Sequence, residues 1–214
     1  MTHICFKQIQ NISKMSFFKK IFGSNEEFAV DSQQIDQDKQ QSVEQELTKE
    51  ETFSIAFKNN GGKFLFCENF EEVKSSLEDI LEENDWFESD VLCNEPQLFP
   101  LLKDNNLNHV DILNQKFLFA TCESLIAEDG SILFCSTQIK QCKPNALPNN
   151  IIVFSTTSRI ENTRNEALSA FQGRYKSPYP DNVTAIKYFE KSQEEDFLQY
   201  GSSAKNIYLL LLEE

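Results

Sequence analysis

Two unbroken apolar runs constrain the fold of this chain most strongly. One is IIVFS at residues 151–155, and the other is IYLLLL at residues 207–212. Each is far shorter than the roughly 20 apolar residues that cross a bilayer, so both are predicted to be interior β-strands. A continuous run, unlike an alternating one, implies that both faces of the strand are covered. The runs are therefore typical of a sheet that lies between layers of helices.

The rest of the chain from residue 52 alternates between periods of two and 3.6 residues, as βα units require. Asn69 with Glu72 predicts a capping box for a helix that runs to Asn84. Ser158 with Glu161 predicts a second capped helix, which carries Ile160, Ala167, Leu168 and Phe171 and ends at Gly173. The predicted strands also include KFLFCE, residues 90–93, and the tract at 116–136 with a break at 128–130. A last pair of strands, TAIKYFE and NIYLLLL, is predicted to complete the sheet.

Residues 1–51 are predicted to form an N-terminal extension rather than part of the domain at residues 52–214. Met15 opens a second plausible start, MSFFKKIFG, whose aromatic residues and lysines suit weak contact with a membrane surface or a partner, or a disordered tag. Residues 25–51 are rich in Gln, Glu and Asp, which is the composition of a flexible linker.

Charge and cysteine content exclude several classes of function. The formal net charge of −14 argues against a nucleic-acid partner, since phosphate binding needs clustered Lys and Arg. The six cysteines form no CxxC pair and most lie in apolar runs, so we expect reduced thiols in a cytoplasmic protein. With only two histidines and no Cys/His cluster at ligand spacing, no intrinsic metal or other cofactor is predicted.

Four stretches, in order, resemble the LUD-domain family of lactate-utilisation proteins. They are FKNNGGKFLFCENFEEV, SLIAEDGSILF, LPNNIIVFSTTSRIENT and YGSSAKNIYLLLLEE. The resemblance implies a three-layer α/β/α sandwich like that of ribose-5-phosphate isomerase, glucosamine-phosphate deaminase and coenzyme A transferase. It also implies an accessory role in the oxidation of L-lactate to pyruvate, with iron–sulfur clusters held by partner oxidoreductase proteins.

Two turns carry the predicted ligand site. The family's AETGT turn is similar to AEDGS at residues 127–131, and its closing GPSxTADIE is similar to GSSAKNI at residues 201–207. If the superfamily topology holds, both turns lie at strand ends and face one cleft, which would bind a small carboxylate or phosphate. The predicted ligand-binding residues are Gly130, Ser131, Gly201, Ser202, Ser203, Lys205 and Asn206.

Glu128 is the predicted catalytic residue. It lies in a turn similar to the Glu-Asn-Gly turn of coenzyme A transferases, where the glutamate attacks an acyl thioester. Glu-Asp-Gly is equally typical of a hairpin turn between two strands. A third polar segment, STTS at residues 155–158, suits either an anion at a helix N-terminus or a simple cap.

Three functions therefore stay open. The first is an accessory component of lactate oxidation, and the second is a stand-alone coenzyme A transferase-like or sugar-phosphate enzyme that uses Glu128. The third is a non-catalytic ligand-binding or scaffold protein that is tethered through residues 15–23.

Overall fold

The computed structural model describes residues 47–113, 115–187, 189 and 204–214. These residues form five α-helices: α1 (Lys49–Asn59), α2 (Phe70–Asn84), α3 (Phe99–Asp104), α4 (Ser136–Ile139) and α5 (Arg164–Arg174). They also form ten strands: β1 (Lys63–Cys67), β2 (Asp90–Leu92), β3 (Asn108–Val110), β4 (Phe117–Ala120), β5 (Ser124–Ile126), β6 (Ser131–Phe134), β7 (Asn150–Thr156), β8 (Ile160–Glu161), β9 (Thr184–Ile186) and β10 (Asn206–Leu212). Short 3₁₀ turns lie at Pro96–Leu98, Pro144–Ala146 and Thr157–Arg159.

Six of the strands form a central sheet in the order β1-β10-β7-β4-β2-β3, with every pairing parallel. The two apolar runs are neighbours in it, since Ile207 on β10 pairs with Ile151 on β7. β10 lies between β1 and β7, so both of its edges are paired. This position explains why its sequence is apolar without alternation.

Helices cover the central sheet. On one face, Phe119, Ile152 and Tyr208 form a single buried cluster with the α2 residues Val73, Leu77, Ile80 and Leu81. On the other face Leu118, Ile151 and Leu209 are fully buried, and Phe64 beside Leu209 meets Phe57 of α1 at a ring-centroid distance of 6.4 Å. The predicted three-layer α/β fold is thus confirmed.

A second, four-stranded sheet has the order β8-β5-β6-β9. The tract that was predicted to be rich in strands divides between the two sheets, with β4 in the first and the β5–β6 hairpin in the second. The prediction that TAIKYFE and NIYLLLL complete one sheet is wrong, because β9 pairs antiparallel with β6 in the second sheet while β10 lies in the first. Ala167 of α5 packs against this sheet on Ile126 and Leu133.

The two predicted helix caps differ in outcome. Asn69 caps α2 by accepting from Glu72 N at 3.0 Å, as expected, and the Glu72 carboxylate accepts from Glu68 N at 2.8 Å. The cap at Ser158 and Glu161 is wrong, because Ile160 and Glu161 form β8. The helix begins three residues later than Glu161, where Thr163 accepts from Glu166 N at 3.2 Å. Ser158 and Thr163 are each followed by a glutamate three residues later, so both match the capping pattern. The helix starts after Thr163 because Ile160 pairs with Leu125 in a strand.

Some predictions concern residues outside the described part of the chain. These include the amphipathic stretch at 15–23, most of the linker, and Gly201, Ser202 and Ser203. Among the helices that are described, none has the length and apolar character needed to span a bilayer.

Candidate functional site

A cleft lies beside the segments that follow β2, β4 and β7. Because the central strands are all parallel, their carboxyl ends share one edge, which is where ligands bind in folds of this kind. Two cavities of about 370 and 410 Å³ lie there. They share Gln97, Thr121, Cys122 and Arg159 among their lining residues, so we treat them as two chambers of one cleft.

The chambers differ in character. We call the larger one the polar chamber; its own lining residues include Glu95, Glu123, Arg174 and Tyr175. We call the smaller one the apolar chamber, since one side of it is formed by Phe70, Leu98, Leu101 and Phe154. Its other side carries Ser155, Thr156, Ser158 and Glu214.

Glu95 follows β2 and is buried at the base of the polar chamber. Its carboxylate accepts hydrogen bonds from Thr121 N and Thr121 Oγ1, both at 2.6 Å, and from Gln97 Nε2 at 3.1 Å. Burial raises the pKa of Glu95 above its ordinary value, because these hydrogen bonds only partly offset the loss of water. A carboxyl group of raised pKa is suited to exchange a proton closer to neutral pH.

Glu123 follows β4 and has the opposite electrostatic character. Burial alone would raise its pKa, but hydrogen bonds from Gln138, Tyr175 and Cys135 and the charge of Arg174 lower it overall. Tyr175 Oη donates at 2.7 Å, and burial together with this contact raises the pKa of the Tyr175 hydroxyl. The surroundings of Glu123 therefore favour its ionised form, whereas burial of Glu95 disfavours its ionised form.

Cys122 is a shared lining residue, yet it is a poor nucleophile. Burial raises its pKa to about 12, although a hydrogen bond to Ser155 Oγ at 3.3 Å and the charge of Arg159 oppose the effect. At neutral pH such a thiol carries almost no thiolate, which is the reactive form.

Arg159 is the cation that both chambers share. It ends the 3₁₀ turn that follows β7, and its side chain is half-buried. Within the described residues, its guanidinium makes no hydrogen bond or ion pair, unlike Arg174, which is paired with Glu123. Guanidinium groups bind carboxylates through two parallel hydrogen bonds. Of the hydroxyls that line the cleft, Thr121 Oγ1 donates to Glu95 and Ser158 Oγ donates to Glu214. Ser155 Oγ accepts from Cys122 Sγ and can donate its own proton to an anion.

The residues predicted from the AEDGS turn lie elsewhere, in the hairpin that joins β5 and β6. Glu128 is exposed, and its carboxylate accepts from Arg164 N at 2.9 Å at the start of α5. Ser131 donates to Asp129 Oδ1 through N at 3.0 Å and Oγ at 2.6 Å. Gly130 has φ +68° and lies so close to α1 that an added Cβ would be 2.5 Å from the backbone of Ala56 and Phe57. These contacts give the turn a structural role.

Lys205 and Asn206 lie at the amino end of β10, opposite the edge that forms the cleft. Lys205 is buried rather than exposed, and its Nζ donates to Leu147 O at 2.7 Å, while burial lowers its pKa. Asn206 Nδ2 donates to Asn150 Oδ1 at 3.1 Å. None of the five predicted site residues that are described lines either chamber, so their ligand contacts stay predictions.

Sequence reasoning did not select Glu95, Arg159, Arg174 or Tyr175. Two of the segments that build the cleft were nevertheless visible as polar residues directly after apolar strands, at 121–123 and 155–158. The STTS segment does lie in the cleft, although it leads into a 3₁₀ turn and β8 rather than an α-helix. Among the described residues, no group of three or more His, Cys, Asp or Glu side chains is placed to hold a metal ion.

Comparison with known proteins gives one informative result. No family model and no curated protein matches the sequence. Among solved structures, the chain is similar to a DUF162 family protein from Deinococcus radiodurans, with a TM-score of 0.55 and 12% identity. The match covers 79% of this chain and 100% of the other. DUF162 is the LUD-domain family, and at this identity the similarity shows that the two proteins share a fold.

Proposed function

We propose that this chain is a LUD-domain protein that binds a small carboxylate at Arg159 and acts as an accessory component of L-lactate oxidation to pyruvate. The four LUD-like stretches and the fold shared with a DUF162 protein support the family. The expected partners are oxidoreductases that hold iron–sulfur clusters, because the LUD resemblance implies such partners. The expected site of action is the cytoplasm.

The proposed ligand class rests on the guanidinium of Arg159, which pairs with none of the residues that the structure describes. It lies between two chambers, close to the edge where parallel strands end, and no described carboxylate neutralises it. A charged group that is half-buried and unpaired loses hydration without gaining a partner, and an anionic ligand would supply that partner.

The direct test is calorimetric titration of lactate and of pyruvate into the wild-type protein and into the Arg159→Gln variant. A charge-assisted pair contributes about 1.5–3 kcal/mol, so Arg159→Gln should weaken binding about 10- to 100-fold. Glu214→Gln is the matched control, since it removes a negative charge from the same cleft. It should leave binding unchanged or tighten it.

Ser202→Ala tests the alternative location of the ligand. If Ser202→Ala abolishes binding and Arg159→Gln does not, the ligand binds at the GSSAKN turn and the assignment to Arg159 is wrong. The partner proposal needs a separate measurement, which is affinity purification of the tagged chain from its native cells. Recovery of an iron–sulfur oxidoreductase would support the accessory role, and its consistent absence would contradict it.

A second candidate function, an enzyme that acts alone, is favoured by the opposite pKa shifts of Glu95 and Glu123. Two carboxyl groups in one chamber with pKa values shifted in opposite directions are a pattern typical of acid–base pairs. Glu95→Gln should then abolish turnover of any substrate that the purified chain converts. Glu128→Gln should abolish it only if the hairpin carboxylate is the nucleophile, so the two variants distinguish the two enzyme hypotheses.

A further inference from the structure

The apolar chamber has a wall that a small hydroxy acid would not cover. Phe70 is the first residue of α2 and Phe154 lies on β7, and their rings meet edge to face at 6.2 Å with an interplanar angle of 71°. Leu98 and Leu101 complete the wall and belong to the main buried cluster. The wall is therefore built on regular elements and backed by the core.

The two aromatic residues of this wall are not fully covered by the protein. Phe70 keeps 44% of its surface exposed, and Phe154 is only partly buried. The other face of the chamber is polar, with Ser155, Ser158 and Arg159. One chamber of about 370 Å³ thus presents an aromatic wall and a cation that pairs with no described residue to the same space. This volume is in the range of sites for ligands much larger than lactate.

We propose that the ligand of this cleft is a carboxylate that carries a branched-alkyl or aromatic substituent. The inference rests on the proposed function, because it places the carboxylate at Arg159, and it specifies what the rest of the ligand is. The substituent packs against Phe70, Phe154 and Leu101, while Arg159 and the hydroxyl of Ser155 contact the carboxylate end. A small acid such as lactate would leave the aromatic wall in contact with water.

Burial of apolar surface sets the expected selectivity. Each CH₂ group transferred from water to an apolar wall contributes about 0.8 kcal/mol, which is about a four-fold change in the dissociation constant. Replacing the methyl group of lactate by isobutyl or benzyl adds several such groups. We therefore expect 2-hydroxy-4-methylpentanoate and phenyllactate to bind at least about ten-fold more tightly than lactate.

The experiment is calorimetric titration of the full chain with lactate, 2-hydroxy-4-methylpentanoate and phenyllactate, which share one carboxylate and one hydroxyl. Phe70→Ala should reduce the preference for phenyllactate over lactate, with little effect on lactate itself. Phe87→Ala is the matched control, since Phe87 has the same 44% exposure and lines neither chamber. Thermal unfolding of both variants checks that each is folded.

The possible results distinguish a failure of this inference from a failure of the proposed carboxylate site at Arg159. A preference that Phe70→Ala removes and Phe87→Ala retains supports the inference. Equal affinities for the three acids, with binding still dependent on Arg159, overturn the inference and leave the proposed ligand class intact. If none of the three acids binds, both the inference and the proposed ligand class are overturned. A preference that Phe70→Ala leaves unchanged overturns the inference, since it shows that the substituent does not pack on Phe70.

Discussion

Arg174 Nη2 donates to the backbone carbonyl oxygen of Glu123 at 2.6 Å and lies 3.4 Å from the carboxylate oxygen Oε2 of the same residue. The same nitrogen lies 3.1 Å from Ser124 Oγ. One guanidinium thus joins the last turn of α5 to the segment between β4 and β5, and it stabilises the charge of a buried carboxylate.

Arg174→Met is expected to destabilise the protein by about 2 kcal/mol, because it leaves Glu123 ionised and buried without its cation. The remaining hydrogen bonds to Gln138, Tyr175 and Cys135 limit the loss. Arg164→Met is the matched control, since Arg164 pairs with Asp129 at 3.3 Å in a more exposed position. For Arg164→Met, chemical denaturation should show a smaller decrease in the free energy of unfolding, at most about 1 kcal/mol. Equal losses would show that Arg174 is no more important than a surface residue.

Glu95 should make the stability of the protein depend on pH in an unusual direction. Its folded-state pKa lies above the ordinary value of 4.5, so folding favours its protonated form. The contribution of Glu95 to the free energy of unfolding is complete below pH 4.5 and is lost as the pH rises through the folded-state pKa. The free energy of unfolding of wild type minus that of Glu95→Gln should therefore decrease over that interval.

Glu123 provides the control of opposite sign. Because its folded-state pKa is lowered, its contribution is present above pH 4.5 and is lost as the pH falls through the folded-state pKa. The difference between wild type and Glu123→Gln should decrease on acidification. If both differences changed in the same direction, the two carboxylates would not have the distinct environments described above.

Gly130→Ala should destabilise the protein by about 2–4 kcal/mol. The residue has φ +68°, which costs about 1–2 kcal/mol for an L-residue, and the new Cβ would overlap the backbone of α1. Gly173→Ala is the control, because nothing lies within 4 Å of an added Cβ there and alanine favours the helix. A denaturation midpoint for Gly130→Ala at or above that of wild type would contradict the close approach of the hairpin to α1.

Native-state alkylation should label Cys142 before the other described cysteines. Cys67, Cys93, Cys122 and Cys135 are buried, and burial raises the pKa of each, to about 11 for Cys93 and about 12 for Cys122. Cys142 is partly exposed. Iodoacetamide labelling with peptide mass spectrometry, before and after denaturation, measures the order. Early modification of Cys122 would mean that the cleft opens more widely than its burial indicates.

Continuous apolar runs and local caps made much of the central layer predictable. IIVFS and NIYLLLL are adjacent parallel strands, and the Asn69 cap with the apolar stripe to Asn84 defines α2. These features depend on short-range chemistry and on burial of both strand faces. The position of β9 in a second sheet could not be predicted in this way. β9 pairs with β6, which is distant in the sequence, and the local pattern of β9 does not indicate which strand it will pair with.

The cleft was less predictable than the fold for the same reason. Glu95, Arg159 and Arg174 come from three separate parts of the chain and line one chamber. Glu95 and Arg159 do so because β2 and β7 end at the same edge of the sheet, and Arg174 does so because the end of α5 reaches Glu123. A glutamate followed by an aspartate and a glycine attracts attention in a sequence, whereas a single arginine after a strand does not. What distinguishes Arg159 is the absence of a described ionic partner, which is a property of three-dimensional packing.

The position of β10 also has a consequence for biosynthesis. Residues 206–212 are the last of the described strands to be made, yet they fill the gap between β1 and β7. Until they emerge from the ribosome, those two strands have no common neighbour, and their apolar edges are available to chaperones or to other nascent chains. Among the described strands, β10 is therefore expected to complete the central layer last, since β1 and β7 cannot be joined before residues 206–212 have been made.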